Sequence, residues 1–168
     1  MMSTAGCVGG ATRRRNRVKR GGGSRGRPWV LNMDRNGSTL DATQLAAIVS
    51  HLSGQRRVAA AYLLGSAAEG RLRPDSDVDI AVLPVPPDGF PLADQLRLGA
   101  ELSRIAGREV DLGVLTTRNL VYAKEAVTRG RLIFDGDHTA TATFEMYALS
   151  MYASLQEARR EVLRAYAA

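Results

Sequence analysis

Two carboxylates one residue apart open an apolar run, Asp77-Val78-Asp79-Ile80-Ala81-Val82-Leu83. On a strand, side chains at i and i+2 share a face. Asp77 and Asp79 would then stand together while Val78 and Ile80 turn into a core. Adjacent carboxylates repel, and apolar surroundings add a desolvation cost. A divalent cation relieves both, and hard oxygen donors of this kind select Mg2+ or Mn2+ over zinc. A third acid, Asp111, interrupts another apolar run, Val110-Asp111-Leu112-Gly113-Val114-Leu115. If the two strands are neighbours, the three carboxylates could hold two metal ions about 3.5–4 Å apart, an arrangement suited to in-line phosphoryl transfer. One ion would lower the pKa of the attacking hydroxyl, and the other would bind a triphosphate and neutralise the departing pyrophosphate. Asp111 is then the candidate general base.

Gly65-Ser66 supplies the phosphate-binding part. It follows an apolar run and opens a short helix or turn, where backbone N–H groups and the Ser66 hydroxyl could cradle a phosphate that glycine allows to approach closely. Arg71 and Arg73, in the loop before Asp77, could add charge-assisted contacts, although loop arginines are more often simply solvated. The bland reading of Asp75 to Asp79 is an acid-rich turn. The spacing from Gly65-Ser66, the strand context and Asp111 together weigh against it.

The elements that must position these residues follow from periodicity. Leu45, Ala46, Ile48, Val49 and Leu52 fall at helical spacing, with Gly54 as a stop. Val58 to Leu64 reads as a buried strand ending at Gly65. Asp77 to Leu83 reads as a second strand, broken by Pro84, Pro86 and Pro87. Leu92 to Ile105 reads as a helix, Glu109 to Leu115 as a third strand, Asn119 to Thr128 as a helix and Leu132 to Phe134 as a short fourth strand. A long helix runs from Thr141 to Tyr166. Alternating strands and helices imply an α/β (α+β) domain: a small mixed β-sheet of about four strands flanked by helices. In the last helix Phe144, Ala148, Met151, Leu155, Ala158 and Val162 form an apolar stripe at spacings of four and three. It can pack on its own sheet, bind a partner helix, or do both along its length.

The chain of 168 residues is 45% hydrophobic, suiting one globular domain. Its net charge of +6 is unevenly placed. Residues 1–38 hold nine Lys/Arg and one acid, a net +8, while the remainder holds 14 basic and 16 acidic residues, a net −2. We read residues 1–38 as a disordered basic Gly/Arg-rich tail, since so little apolar surface cannot offset its ordering entropy, and residues 39–168 as the domain. The tail could contact nucleic acid or another polyanion, be a solvated extension, or lie upstream of a start at Met33. A near-neutral domain argues against a nucleic-acid groove. No apolar run follows the arginines, which argues against export, and none approaches membrane-spanning length. The single cysteine, Cys7, permits no intrachain disulfide, so a reducing, cytoplasmic setting is expected. His51 and His138 have no motif partner and read as surface or helix-end residues. Tyr62 reads as packing, and Trp29 lies in the tail.

Gly65-Ser66, ten residues, then Asp77-Val78-Asp79, with Asp111 downstream, resembles the GS-x10-DxD motif of the DNA polymerase β-type nucleotidyltransferase superfamily. The similarity covers roughly residues 44–160. The short length resembles the minimal nucleotidyltransferases, in particular the antitoxin half of HEPN–MNT toxin–antitoxin pairs. Arg129 to Phe134, and Phe144-Glu145 followed by Tyr152, fit that subgroup loosely. The resemblance implies transfer of AMP from ATP, with loss of pyrophosphate, to an acceptor hydroxyl. In this subgroup the acceptor is a tyrosine on the partner HEPN ribonuclease toxin, which the added bulk and charge would silence. It implies Asp77, Asp79 and Asp111 as metal-binding and catalytic residues, and Gly65 and Ser66 as nucleotide-binding residues. One departure stands out. Family members often carry GSxARG, and here Glu69 falls where that arginine would be, an acid that would disfavour a nearby triphosphate unless it points away. Other readings are nucleotidylation of a small molecule such as an aminoglycoside, a catalytically silent antitoxin that acts by binding, and a nucleic-acid-binding protein working through its arm.

Overall fold

The computed structural model of the protein describes residues 40–85 and 89–167; the basic segment 1–38 lies outside them. Helix α1 (Ala42–Ser53) starts at a capping box, in which the Asp41 side chain accepts from the Gln44 N–H at 2.6 Å and the Asp41 N–H donates to Gln44 Oε1 at 3.1 Å. Then follow β1 (Val58–Leu63), α2 (Gly65–Ala68), β2 (Val78–Pro84), α3 (Leu92–Ala106), β3 (Val110–Val114), α4 (Leu120–Arg129), β4 (Arg131–Asp135) and α5 (His138–Ala167).

The strands form one mixed sheet in the order β3-β2-β1-β4. β1 runs antiparallel to both β2 and β4, and β2 pairs in parallel with β3. A parallel pair needs a crossover rather than a tight turn, and α3 is that crossover. It ends at Gly107, whose φ of 67° is the left-handed conformation that glycine adopts without strain.

Strand alternation sorts the side chains onto two faces. Val78, Ile80 and Val82 of β2 join Leu45, Ile48 and Leu52 of α1 and Leu98, Leu102 and Ala106 of α3 in the larger core. Ala81 and Leu83 face the other way, with Tyr62, Leu115 and Ala126, against Tyr122 of α4 and Ala140 and Phe144 of α5. The expected four-stranded mixed sheet flanked by helices is therefore present, as a helix–sheet–helix arrangement.

Several boundaries differ from the sequence reading. β2 begins at Val78 and continues through Pro84, so Asp77 precedes the strand rather than lying in it. Pro84 closes the strand because its missing N–H costs nothing at a strand end. α5 begins at His138, before the expected Thr141. The cause is polar: His138 Nδ1 lies 2.9 Å from Asp135 Oδ2, and the buried Thr141 hydroxyl lies 2.8 Å from Asp135 Oδ1. Together they fasten the first turn of α5 to the end of β4.

Candidate active site

Parallel pairing of β2 with β3 brings the acids together. Asp79 stands directly opposite Asp111, flanked by the pairs Val78–Val110 and Ile80–Leu112. Both acids therefore lie on the sheet face covered by α4 and α5, at the end where β2 and β3 begin. Asp77 sits two residues before Asp79, exposed, in the segment that leads into β2. Arg108 holds that segment in place by donating to the carbonyls of Arg73 at 3.1 Å and Ser76 at 3.3 Å.

The Asp79 carboxyl is raised above the usual carboxylate range, first by burial, then by the charges of Asp77 and Asp111. Among the described residues none of the three carboxylates accepts a hydrogen bond or meets a cation. They face one another without closing round one point, since among the described residues no three acidic, histidine or cysteine side chains are gathered tightly enough to enclose an ion. Asp79 is half-buried, whereas the exposed Asp77 and Asp111 side chains have room to turn toward it.

Gly65 joins β1 to α2 at φ 54°. A Cβ at this position would come within 2.8 Å of Asp79 Oδ2, a separation real side chains do not adopt. The preceding Leu64 N–H donates to the Asp79 carbonyl at 2.9 Å. Glycine is thus favoured twice, for its positive φ and because any side chain here would displace the Asp79 carboxylate. Gly65, Ser66, Glu69, Arg71, Arg73 and Ser76 line an adjoining cavity of about 400 Å³. Glu69, the acid expected to disfavour a triphosphate here, forms an ion pair with Arg71 across the mouth of this cavity. Its charge is therefore offset within the loop itself.

Two contributors escaped the sequence reading. Tyr122 packs on the carboxylate-bearing face, and its phenol is pushed up to about 12 by burial, then by the charges of Asp111 and Asp79. Arg108 acts on the loop as described above. The available signal was Gly113, a glycine inside a strand, which marks a close approach by another group; here that group is the Tyr122 ring. Tyr62, read as packing, is buried and also donates its hydroxyl to Glu145 Oε1 at 2.8 Å, tying β1 to α5. His51 lies in the last turn of α1, 2.8 Å from Glu101 Oε2, away from the three aspartates in the sequence and on the opposite helical layer. Cys7 and Trp29 lie outside the described residues.

The arrangement sets a close-approach glycine turn beside paired carboxylates, which suits transfer of a phosphorus group from a nucleotide. Comparison with known proteins points the same way. The chain is 30% identical over 102 residues to the protein adenylyltransferase MntA of Shewanella oneidensis, an alignment spanning 61% of this chain and 71% of that protein. It resembles the structure of a tri-AMPylated S. oneidensis HEPN toxin in complex with MNT antitoxin, at 25% identity and a TM-score of 0.57, covering 74% of this chain and 97% of the matched one. A toxin–antitoxin structure with AMP-PNP shares the fold at 24% identity and a TM-score of 0.58, again covering 74% and 97%. The polymerase beta nucleotidyltransferase model matches residues 46–139, a span that contains all five candidate residues, and the chain belongs to that nucleotidyltransferase family.

Proposed function

We propose that this protein transfers AMP from ATP to a tyrosine hydroxyl of a HEPN-type partner protein encoded near it, and so acts as the antitoxin of a toxin–antitoxin pair. The observation that carries the reading is the pairing of Asp79 with Asp111 across β2 and β3, with Gly65 pressed against Asp79. The similarity to a protein adenylyltransferase and to an antitoxin bound to an AMPylated toxin supports the choice of reaction and partner.

The chemistry divides among named residues. The amides at Gly65 and Ser66 and the Ser66 hydroxyl hold phosphate oxygens at the start of α2, where the missing side chain lets the nucleotide come close. Asp111 accepts the proton of the attacking hydroxyl. The oxygen forms a bond to the α-phosphorus, and the bond to the bridging oxygen breaks, so that pyrophosphate leaves with the electron pair. Asp77, Asp79 and Asp111 suit Mg2+ or Mn2+, because they are oxygen donors that repel one another and have no other cation among the described residues. When bound, such ions supply charge neutralisation for the triphosphate and acidify the attacking hydroxyl.

The partner would meet α5. Phe144 of the apolar stripe packs against the core on the sheet and Ala148 is buried, but Met151, Leu155 and Val162 further along it are 41%, 39% and 54% exposed. A substrate of this kind and a reducing setting both agree with a cytoplasmic location. No described helix is long and apolar enough to cross a membrane.

The test is incubation with Mg2+, α-labelled ATP and the HEPN-type protein encoded beside it. Label should pass to the partner and fall by at least about a thousandfold in the Asp77→Asn/Asp79→Asn double variant. Neutralisation of the toxin that survives in the double variant would instead establish an antitoxin that acts by binding alone. Label passing to a small-molecule acceptor and not to the partner would refute the choice of acceptor.

A further inference from the structure

The catalytic face of the sheet carries a tyrosine, Tyr122, that neither the family motif nor the reaction above uses. Gly113 lies two residues beyond Asp111 on β3, on the same face, and is paired with Ala81 as Asp111 is with Asp79. The step between these pairs is roughly 6.6 Å, two strand residues. The space where a side chain at 113 would begin is filled by Tyr122. A Cβ there would overlap the phenolic oxygen and lie 2.7 Å from Cζ and 3.1 Å from Cε1. Tyr122 is in the first turn of α4, and its own N–H is held by the Asn119 cap at 3.2 Å. Backbone and ring are therefore both fixed, which suits a group that must present one atom accurately.

The hydroxyl itself is left uncommitted. It makes no hydrogen bond to a described residue. It is also not a sealed-off polar atom, since Arg131 Nε is the one buried and unpartnered side-chain nitrogen or oxygen among the described residues. The phenolic oxygen lies against Gly113 with no hydrogen-bond partner among the described residues, so its proton is left for an atom that enters the site. Asp111 is the acid nearest to it along β3 and the one assigned to the acceptor's proton. An oxygen that enters between Asp111 and Gly113 on this face would lie within reach of both the carboxylate and the Tyr122 hydroxyl. At neutral pH a tyrosine hydroxyl is protonated and can donate.

We propose that Tyr122 positions the acceptor: its hydroxyl, seated on the sheet by the missing side chain of Gly113, donates a hydrogen bond to the attacking oxygen while that oxygen's proton passes to Asp111. The phenol keeps its own proton throughout. The bond made is acceptor oxygen to α-phosphorus, the bond broken is α-phosphorus to bridging oxygen, and pyrophosphate leaves with the electron pair. This assignment rests on the proposed nucleotidyl transfer but not on the identity of the acceptor.

The experiment compares wild type with Tyr122→Phe, which keeps the ring over Gly113, and with Gly113→Ala, which keeps the hydroxyl but displaces it. ATP binding is measured by calorimetry with Mg2+, and transfer of α-label is measured with the HEPN-type partner as acceptor. The loss of one hydrogen bond made during reaction should lower kcat/KM for the acceptor about tenfold in Tyr122→Phe, with the Kd for ATP and the thermal midpoint unchanged. Gly113→Ala should lower it at least as far. Full activity in Tyr122→Phe would overturn the proposal, as would weakened ATP binding that accounts for the loss. If wild type labels no partner, the choice of acceptor fails by itself. Tyr122 is then read on the slow transfer to water, followed as AMP release from ATP, where the same tenfold loss is expected. Equal AMP release by wild type and Tyr122→Phe, or none from either, would overturn it.

Discussion

Asp79 is held where it is least comfortable. Its carboxyl is raised by burial, by Asp77 and by Asp111, so the folded state holds a proton on it more tightly than the unfolded chain does. In the pH interval between the ordinary and the raised value the native state binds more protons, and stability falls as pH rises through that interval. Without divalent ions, Asp79→Asn should therefore raise the melting temperature by roughly 2–5 °C at pH 7. The gain should vanish as pH falls below the ordinary carboxylate range, where wild type is protonated in both states. Added Mg2+ should stabilise wild type and not the variant. Melting curves at pH 7 and pH 3.5, with and without Mg2+, check all three outcomes. A melting temperature unchanged at pH 7 would mean that the carboxylates are less opposed than their placement implies.

At the scale of elements, the site depends on one turn and one register. The turn from β1 into α2 carries Gly65 at φ 54°. Gly65→Ala should cost about 1–2 kcal/mol for a left-handed alanine and, through the contact with Asp79 Oδ2, displace the carboxylate. Transfer should fall by more than tenfold while the secondary structure is kept; chemical denaturation and the labelling assay measure the two effects separately. The pairing of β2 with β3 was foreseen only as a condition, since nothing local to either strand names its neighbour. Both runs read as strands because their apolar residues alternate with or surround the acids. That they lie side by side, in the register that sets Asp79 against Asp111, follows from the length of α3 and the burial of Leu98, Leu102 and Ala106 beneath the sheet.

At the scale of the whole molecule, α5 has two different environments. Its first turns pack on β1 and α4, Ala148 is fully buried, and Lys124 Nζ lies 5.8 Å over the Tyr152 ring. Every side chain from Glu157 to Tyr166 is exposed. A helix of 30 residues extends about 45 Å, farther than four short strands can cover. Its apolar stripe is therefore packed in the inner half and left exposed in the outer half, the half proposed to meet a partner. If the outer half receives the partner, Leu155→Glu with Val162→Glu should weaken the complex with the HEPN-type protein at least tenfold and leave ATP binding untouched, as read by analytical ultracentrifugation and calorimetry. Unchanged association would place the partner elsewhere on the domain.

The sequence by itself determined which residues are candidates for chemistry and, except for Asp77, which lies before β2 rather than in it, which segments carry them. Gly65-Ser66, Asp77, Asp79 and Asp111 could be picked out because acids inside apolar runs and a glycine at a strand end are costly without a purpose. Strands and helices were legible because burial imposes a period on each. Tertiary structure alone decided what those segments meet. It set Asp79 opposite Asp111, paired Glu69 with Arg71, tied Arg108 to the loop before Asp77 and laid Tyr122 over Gly113. Such contacts join residues through packing of non-adjacent elements, and the free energy that selects them is a property of the assembled core rather than of any local stretch of chain.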